Sequence, residues 1–144
     1  MICGLPGSGK STLAAKLEAE LPALRLIPDA WIARMNEHGH KKGKRKLVES
    51  LQWDVAQKTL HLGLDVVLEN GFWSKQERQQ YRRQAAAVGA QTKLYFLNVS
   101  IEELKRRLQA RNKNLSGDTF YIDPQKIDSW LVEFEPPTSD ELND

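Results

Sequence analysis

Nine residues near the start of the chain, Gly4-Leu5-Pro6-Gly7-Ser8-Gly9-Lys10-Ser11-Thr12, have the types and spacing that hold a chain of phosphates. Gly4, Gly9, Lys10 and Ser11 fall in the register G-x-x-x-x-G-K-[ST], between the apolar Ile2-Cys3 and a helical pattern at Leu13, Leu17 and Leu21. Where such a loop opens a helix, successive backbone N–H groups converge on an anion that the helix dipole also favours. Lys10 is then placed to reach the β- and γ-phosphates. Ser11 can put its hydroxyl on Mg²⁺, and Thr12 can cap the helix or touch the α-phosphate side. An ordinary turn has no use for Lys10 and Ser11 at those spacings, so ATP and Mg²⁺ are the expected ligands.

The elements that position further chemistry follow from periodicity. A short first strand (Met1 to Cys3) leads into the loop, and a helix from Lys10 to Leu21 stops before Pro22. Leu24 to Ile27 reads as strand two, ending in Pro28-Asp29, and Asp29 opens a short helical stretch. A basic loop over about 38–44 precedes a helix from about Lys46 to Leu62, with apolar positions Leu47, Leu51, Val55 and Leu62. Asp65 to Glu69 is a β-branched buried strand. Ser74-x-x-Glu77 and Ser100-x-x-Glu103 are capping boxes that start two more helices, with Lys93 to Val99 as the strand between them. Asn112 to Tyr121 has turn composition, Asp123-Pro124 starts the last helix, and an acidic tail begins near Pro136.

Strands alternating with helices predict an α/β fold: a parallel sheet with helices on both faces, its ligands beyond the carboxyl ends of the strands. The phosphate loop, Asp29 and Glu69 all fall there. Glu69 ends a buried strand, where a carboxylate needs a metal, a water or a cation, or else an arginine partner. Arg107 and Arg111 lie four apart on one helix face. Either they neutralise charge on a phosphoryl group or they form a solvated helix end beside Arg106. Arg78, Arg82 and Arg83 read as a solvated basic face, Trp31 and Trp73 as walls of an acceptor pocket, and His38 and His40 as too few for a metal site.

With 144 residues the chain is expected to be one domain, and its 40% hydrophobic and 28% charged residues are ordinary for a globular protein. No apolar run approaches a membrane span, and the one cysteine, Cys3, excludes an internal disulfide. A cytoplasmic location without membrane contact is the expectation. Five of the 21 basic residues lie in Lys41-Lys42-x-Lys44-Arg45-Lys46, leaving 16 basic against 19 acidic elsewhere. An anionic partner beyond the nucleotide would meet that segment first. No aromatic residues interleave with its charges, so nucleic acid is not the favoured partner.

The loop Gly4 to Thr12, Pro28-Asp29, the run Val66-Val67-Leu68-Glu69 into Asn70-Gly71-Phe72-Trp73, and the pair Arg107-x-x-x-Arg111 together resemble small P-loop kinases. That group includes the zeta-toxin type, chloramphenicol phosphotransferase and polynucleotide kinase. The closing Phe134-Glu135-Pro136-Pro137-Thr138 resembles the end of predicted AAA-type ATP-binding proteins of bacteria in it. The resemblance covers nearly the whole chain.

It implies a three-layer P-loop NTPase fold with the adenylate-kinase-like strand order 2-3-1-4. The implied activity is transfer of the ATP γ-phosphate to a hydroxyl of a small molecule, with a polynucleotide 5′-hydroxyl or an acceptor-free ATPase switch as alternatives. It implies Asp29 as the base taking the hydroxyl proton, a role that competes with a plain N-cap for the helix at Ala30. Residues 29–46 would be an acceptor-side insert and 107–121 a lid-like segment. The usual second-motif Asp is replaced by Glu69, which favours metal contact through water.

Overall fold

The computed structural model describes residues 1–35 and 42–143. Its strands are β1 (Ile2–Cys3), β2 (Ala23–Leu26), β3 (Asp65–Leu68) and β4 (Tyr95–Phe96). Its helices are α1 (Lys10–Glu20), α2 (Pro28–Arg34), α3 (Lys42–His61), α4 (Lys75–Ala87), α5 (Ile101–Asn112), α6 (Ile127–Glu133) and α7 (Ser139–Leu142), with one 3-10 turn at Pro124–Lys126.

The strands form two parallel pairs. Ala23 to Leu26 run beside Asp65 to Leu68, and Ile2-Cys3 beside Tyr95-Phe96. Between the pairs there is a single parallel bridge, Cys3 to Gly71, with Gly4 N–H donating to the Gly71 carbonyl at 3.0 Å. The expected strand of 93–99 is therefore reduced to two residues, although Leu97 N–H still reaches the Cys3 carbonyl at 3.0 Å.

Side chains fill the space that backbone bonds leave. On one face Cys3, Leu26, Ala56, Leu68, Phe72 and Leu94 pack together, and on the other Ile2, Ala14 and Val67. A third cluster, Leu5, Leu104, Leu108, Ile122 and Ile127, holds α5 and α6 under the phosphate loop. Both expected helix caps form: the Ser74 hydroxyl accepts from Glu77 N–H at 3.1 Å and that of Ser100 from Glu103 N–H at 3.4 Å.

Four expectations are overturned. First, α3 begins at Lys42, so Lys42 to Lys46 are its opening turn rather than a loop, while His38, His40 and Lys41 lie outside the described residues. Second, Leu47, Leu51, Val55 and Leu62 are solvent-facing, 38–79% exposed, and the buried face of α3 is Val48, Gln52, Ala56 and Thr59. The two stripes lie one position apart, so an apolar count could not tell inside from outside once Gln52 and Thr59 entered the buried one.

Third, Arg78 is not solvated. It is wholly buried, with Nε donating to Glu141 Oε1 at 2.7 Å and Nη1 to the Phe72 and Glu135 carbonyls at 3.0 and 2.8 Å. Fourth, the acidic tail folds. A capping box, Thr138 with Glu141, starts α7 and drives Glu141 inward onto Arg78. Among the described residues no helix is long and apolar enough to cross a membrane.

Candidate functional site

A cleft of about 680 Å³ opens beyond the carboxyl ends of the strands. Its floor is the phosphate loop. Gly9, at φ 97°, is the last residue before α1 and takes a left-handed conformation that turns the chain into the helix. At Gly7, φ 84°, a Cβ would lie 3.2 Å from both the Leu104 carbonyl and Leu108 Cγ, so the loop rests directly on α5.

Lys10 folds back over this loop, its Nζ donating to the carbonyls of Gly4 and Leu5 at 3.1 and 3.0 Å. Burial pulls its pKa down to about 8 against the opposing pull of Asp29 and Glu69. Ser11 Oγ donates to Glu69 Oε2 at 2.7 Å. Burial raises the Glu69 carboxyl above its ordinary range, opposed by Ser11 and then Arg25, whose Nε stands 3.8 Å from Oε1. Oε1 is buried without a hydrogen-bond partner, as is Ser8 Oγ.

Glu69 reaches this position because β3 ends in a tight turn. Phe72 has φ 51°, a conformation costing a non-glycine residue about 1 kcal/mol or more. Packing holds it there. Its ring is fully buried with an edge contact to Tyr81 at 5.2 Å, and its carbonyl accepts from Cys3 Sγ at 3.3 Å and from Arg78. The same turn presents Asn70 and Trp73 to the cleft, Trp73 beside Trp130 with centroids 5.8 Å apart.

Asp29 lies in the first turn of α2, whose cap is Ile27, and makes no capping bond. The N-cap alternative is thereby removed. Its carboxylate instead takes Arg45 Nη1 at 2.6 Å, and Arg45 Nε pairs with Glu49 Oε1 at 3.3 Å.

On the opposite wall Arg107 leans from α5 to the phosphate loop, Nη1 to the Ser8 carbonyl at 3.4 Å, while bonded to Glu103 at 2.6 Å. Arg111 donates to the Phe120 carbonyl at 3.1 Å, and burial lowers its pKa. Reciprocal bonds between Asn112 and Ile122, 2.7 and 3.2 Å, pin the base of the turn-rich segment.

The structure thus brings Lys10, Ser11, Thr12, Asp29, Glu69, Arg107 and Arg111 around one cleft, with loop residues Pro6, Gly7 and Gly9. Of the two expected wall residues only Trp73 is there. Trp31 is 38% exposed and not in the lining. Glu49 and Trp130 line the cleft without having been given a site role from the sequence, while Arg45 was read only as part of the basic segment and Asn70 only as part of the run after Glu69. Only Arg45-x-x-x-Glu49, an i,i+4 ion pair, left a signal there.

A family model described as an AAA domain matches residues 1–137. The chain belongs to this AAA domain family. No curated protein matches it. Membership implies a nucleotide-binding P-loop domain, consistent with the Gly4 to Thr12 loop at the base of the cleft. In this AAA domain Ser11 and Glu69 offer the hard oxygen donors that suit Mg²⁺, and Glu69 Oε1, buried without a hydrogen-bond partner and with Arg25 no nearer than 3.8 Å, has lone pairs that a cation would use. Among the described residues no group of three His, Cys, Asp or Glu forms a metal cluster of its own.

Proposed function

We propose that this protein is a phosphotransferase that moves the ATP γ-phosphate to a hydroxyl of a small acceptor. The observation that carries the reading is the placing of Asp29 in the same cleft as Lys10, Ser11 and Glu69, in a space within the size range of ligand pockets and with walls beyond the phosphate loop. A nucleotide switch needs the loop and the metal-side carboxylate. It has no need of a second carboxylate facing an aromatic recess.

In this reading Lys10 leaves the loop carbonyls for the β- and γ-phosphates, and the loop N–H groups fix the triphosphate. Ser11 and Glu69 would hold Mg²⁺, Glu69 directly or through water. Bound there, the ion would neutralise phosphate charge. Arg107 and Arg111 supply positive charge from the α5 wall, and residues 107–121 act as a lid pinned at Asn112. Asp29 takes the proton of the acceptor hydroxyl, and Arg45 orients its carboxylate. The two strand pairs are read as the two halves of a 2-3-1-4 sheet.

The test is transfer of labelled γ-phosphate from Mg-ATP to a panel of hydroxyl compounds, run beside Asp29→Asn and Lys10→Ala. Label on an acceptor, lost in both variants, is the expected result. Release of free phosphate alone, unchanged by Asp29→Asn, would overturn the reading in favour of an ATPase switch.

A further inference from the structure

The part of the cleft around Arg45 is built from groups that accept hydrogen bonds. Asp29, Glu49 and Glu77 line it, and all three act on Arg45: two by direct pairing, Glu77 through its field. Glu77 also accepts the N–H groups of Trp73 and Ser74, which fixes Trp73 on this side. Asn70 adds an acceptor. Its Nδ2 donates to Tyr81 Oη at 2.9 Å, and its Oδ1, in a residue only 6% exposed, has no partner.

The bases there do not balance these groups. Arg45 is already shared between Asp29 and Glu49, and Lys46 is exposed at the rim. Burial first, with Glu77 and Asp29 adding to it, pushes the Glu49 carboxyl up to about 7 against the opposing pull of Arg45 and Lys46. An incoming anion meets three carboxylates, and an incoming cation relieves them. The aromatic faces of Trp73 and Trp130 favour the same sign of charge.

We propose that the acceptor is a small hydroxyl compound bearing a protonated amine, its N–H groups directed to Glu49 and Asn70 Oδ1 and its apolar side to Trp73 and Trp130. The proposal rests on the phosphotransferase reading. The hydroxyl oxygen forms the new bond to the γ-phosphorus, and the bond from that phosphorus to the β,γ-bridging oxygen breaks with its electron pair leaving on ADP. The hydroxyl proton passes to Asp29. The amine keeps its proton and takes no part in the bond exchange.

The experiment is tryptophan-fluorescence titration of the full chain at pH 7 and constant ionic strength, with matched probes: glucosamine against glucose, and serinol against glycerol. The amine of at least one pair should bind about tenfold more tightly than its neutral partner. Glu49→Gln should bring that preference below about threefold. Should that variant not fold, Trp130→Leu is the second, with a loss of at least about threefold.

Equal binding within both pairs, binding of neither, or tighter binding of a 5′-hydroxyl oligonucleotide that weakens in Lys46→Ala would overturn the proposal. Label transfer separates the two readings. Transfer to glucose and glycerol as efficient as to the amines overturns this inference and leaves the phosphotransferase. Amine-selective binding with no transfer to any probe upholds the site and overturns the phosphotransferase.

Discussion

Glu141→Ala removes the only carboxylate on Arg78 among the described residues, leaving a fully buried guanidinium with carbonyl partners alone. The size of the loss follows from the pair itself. Arg78 first, with the Thr138 N–H and hydroxyl adding to it, holds the Glu141 carboxyl at about 2 against an ordinary 4.5, and at about 1.4 kcal/mol per pKa unit that is about 3 kcal/mol of stability at neutral pH, most of it from the pair. Removing one partner of a buried pair costs a similar amount.

For a chain of this length about 3 kcal/mol lowers the melting temperature by about 10 °C. The pH dependence has a fixed sign. Glu141 titrates below its unfolded value, so its contribution is whole above about pH 4.5 and is lost as pH falls toward 2. The gap between parent and Glu141→Ala should close over that window. The assay is thermal melting across pH, completed by a double-mutant cycle with Arg78→Met and Arg78→Met/Glu141→Ala, in which the double variant should cost at least about 1 kcal/mol less than the two singles summed. A Glu141→Ala melting temperature within about 2 °C of the parent at pH 7, or strict additivity in the cycle, would refute the reasoning.

Asp29→Asn should cut γ-phosphate transfer by at least about 100-fold while ATP affinity, read by calorimetry, stays within about threefold. Glu69→Gln should weaken ATP binding measured with Mg²⁺ and leave binding in EDTA nearly unchanged, since in the proposed reading the residue would hold the metal and not the phosphates. Leu62→Lys should move stability by less than about 0.5 kcal/mol in urea melts, because that side chain is 79% exposed, whereas Val48→Ala on the inner stripe of α3 should cost about 1 kcal/mol or more.

The phosphate loop was legible because its pattern is local: four fixed positions of one stretch, Gly4, Gly9, Lys10 and Ser11, suit one anion, and nothing distant alters that pattern. Asp29 and Glu69 were legible for a related reason, since each follows a strand whose end the parallel topology sends to the cleft. The inner face of α3 was not. Gln52, buried with neither side-chain oxygen nor nitrogen paired, sits where the apolar count expected solvent, and Leu62 sits where it expected core. Arg78 was misread because the acid that makes its burial tolerable lies 63 residues away. Thr138-x-x-Glu141 was a capping signature inside what read as an acidic tail, and its composition hid it.

The join between the two strand pairs carries a mechanical consequence. The phosphate loop hangs from β1, and Asp29 and Glu69 follow β2 and β3, so the separation of phosphate and carboxylates is set across that join. Among the described residues one peptide contact, Gly4 N–H to the Gly71 carbonyl, crosses it, together with the Cys3 Sγ to Phe72 carbonyl bond, the Ser11 to Glu69 bond and the apolar clusters on either face. Apolar packing has no preferred direction, so it resists separation far more than it resists sliding. The compliance of the sheet is therefore gathered along one line, directly beneath the cleft. The Gly4 amide is the natural gauge of it: its hydrogen should exchange with solvent sooner than that of Glu69 or Leu97, whose bonds lie within a pair, and a ligand spanning the join should slow it most.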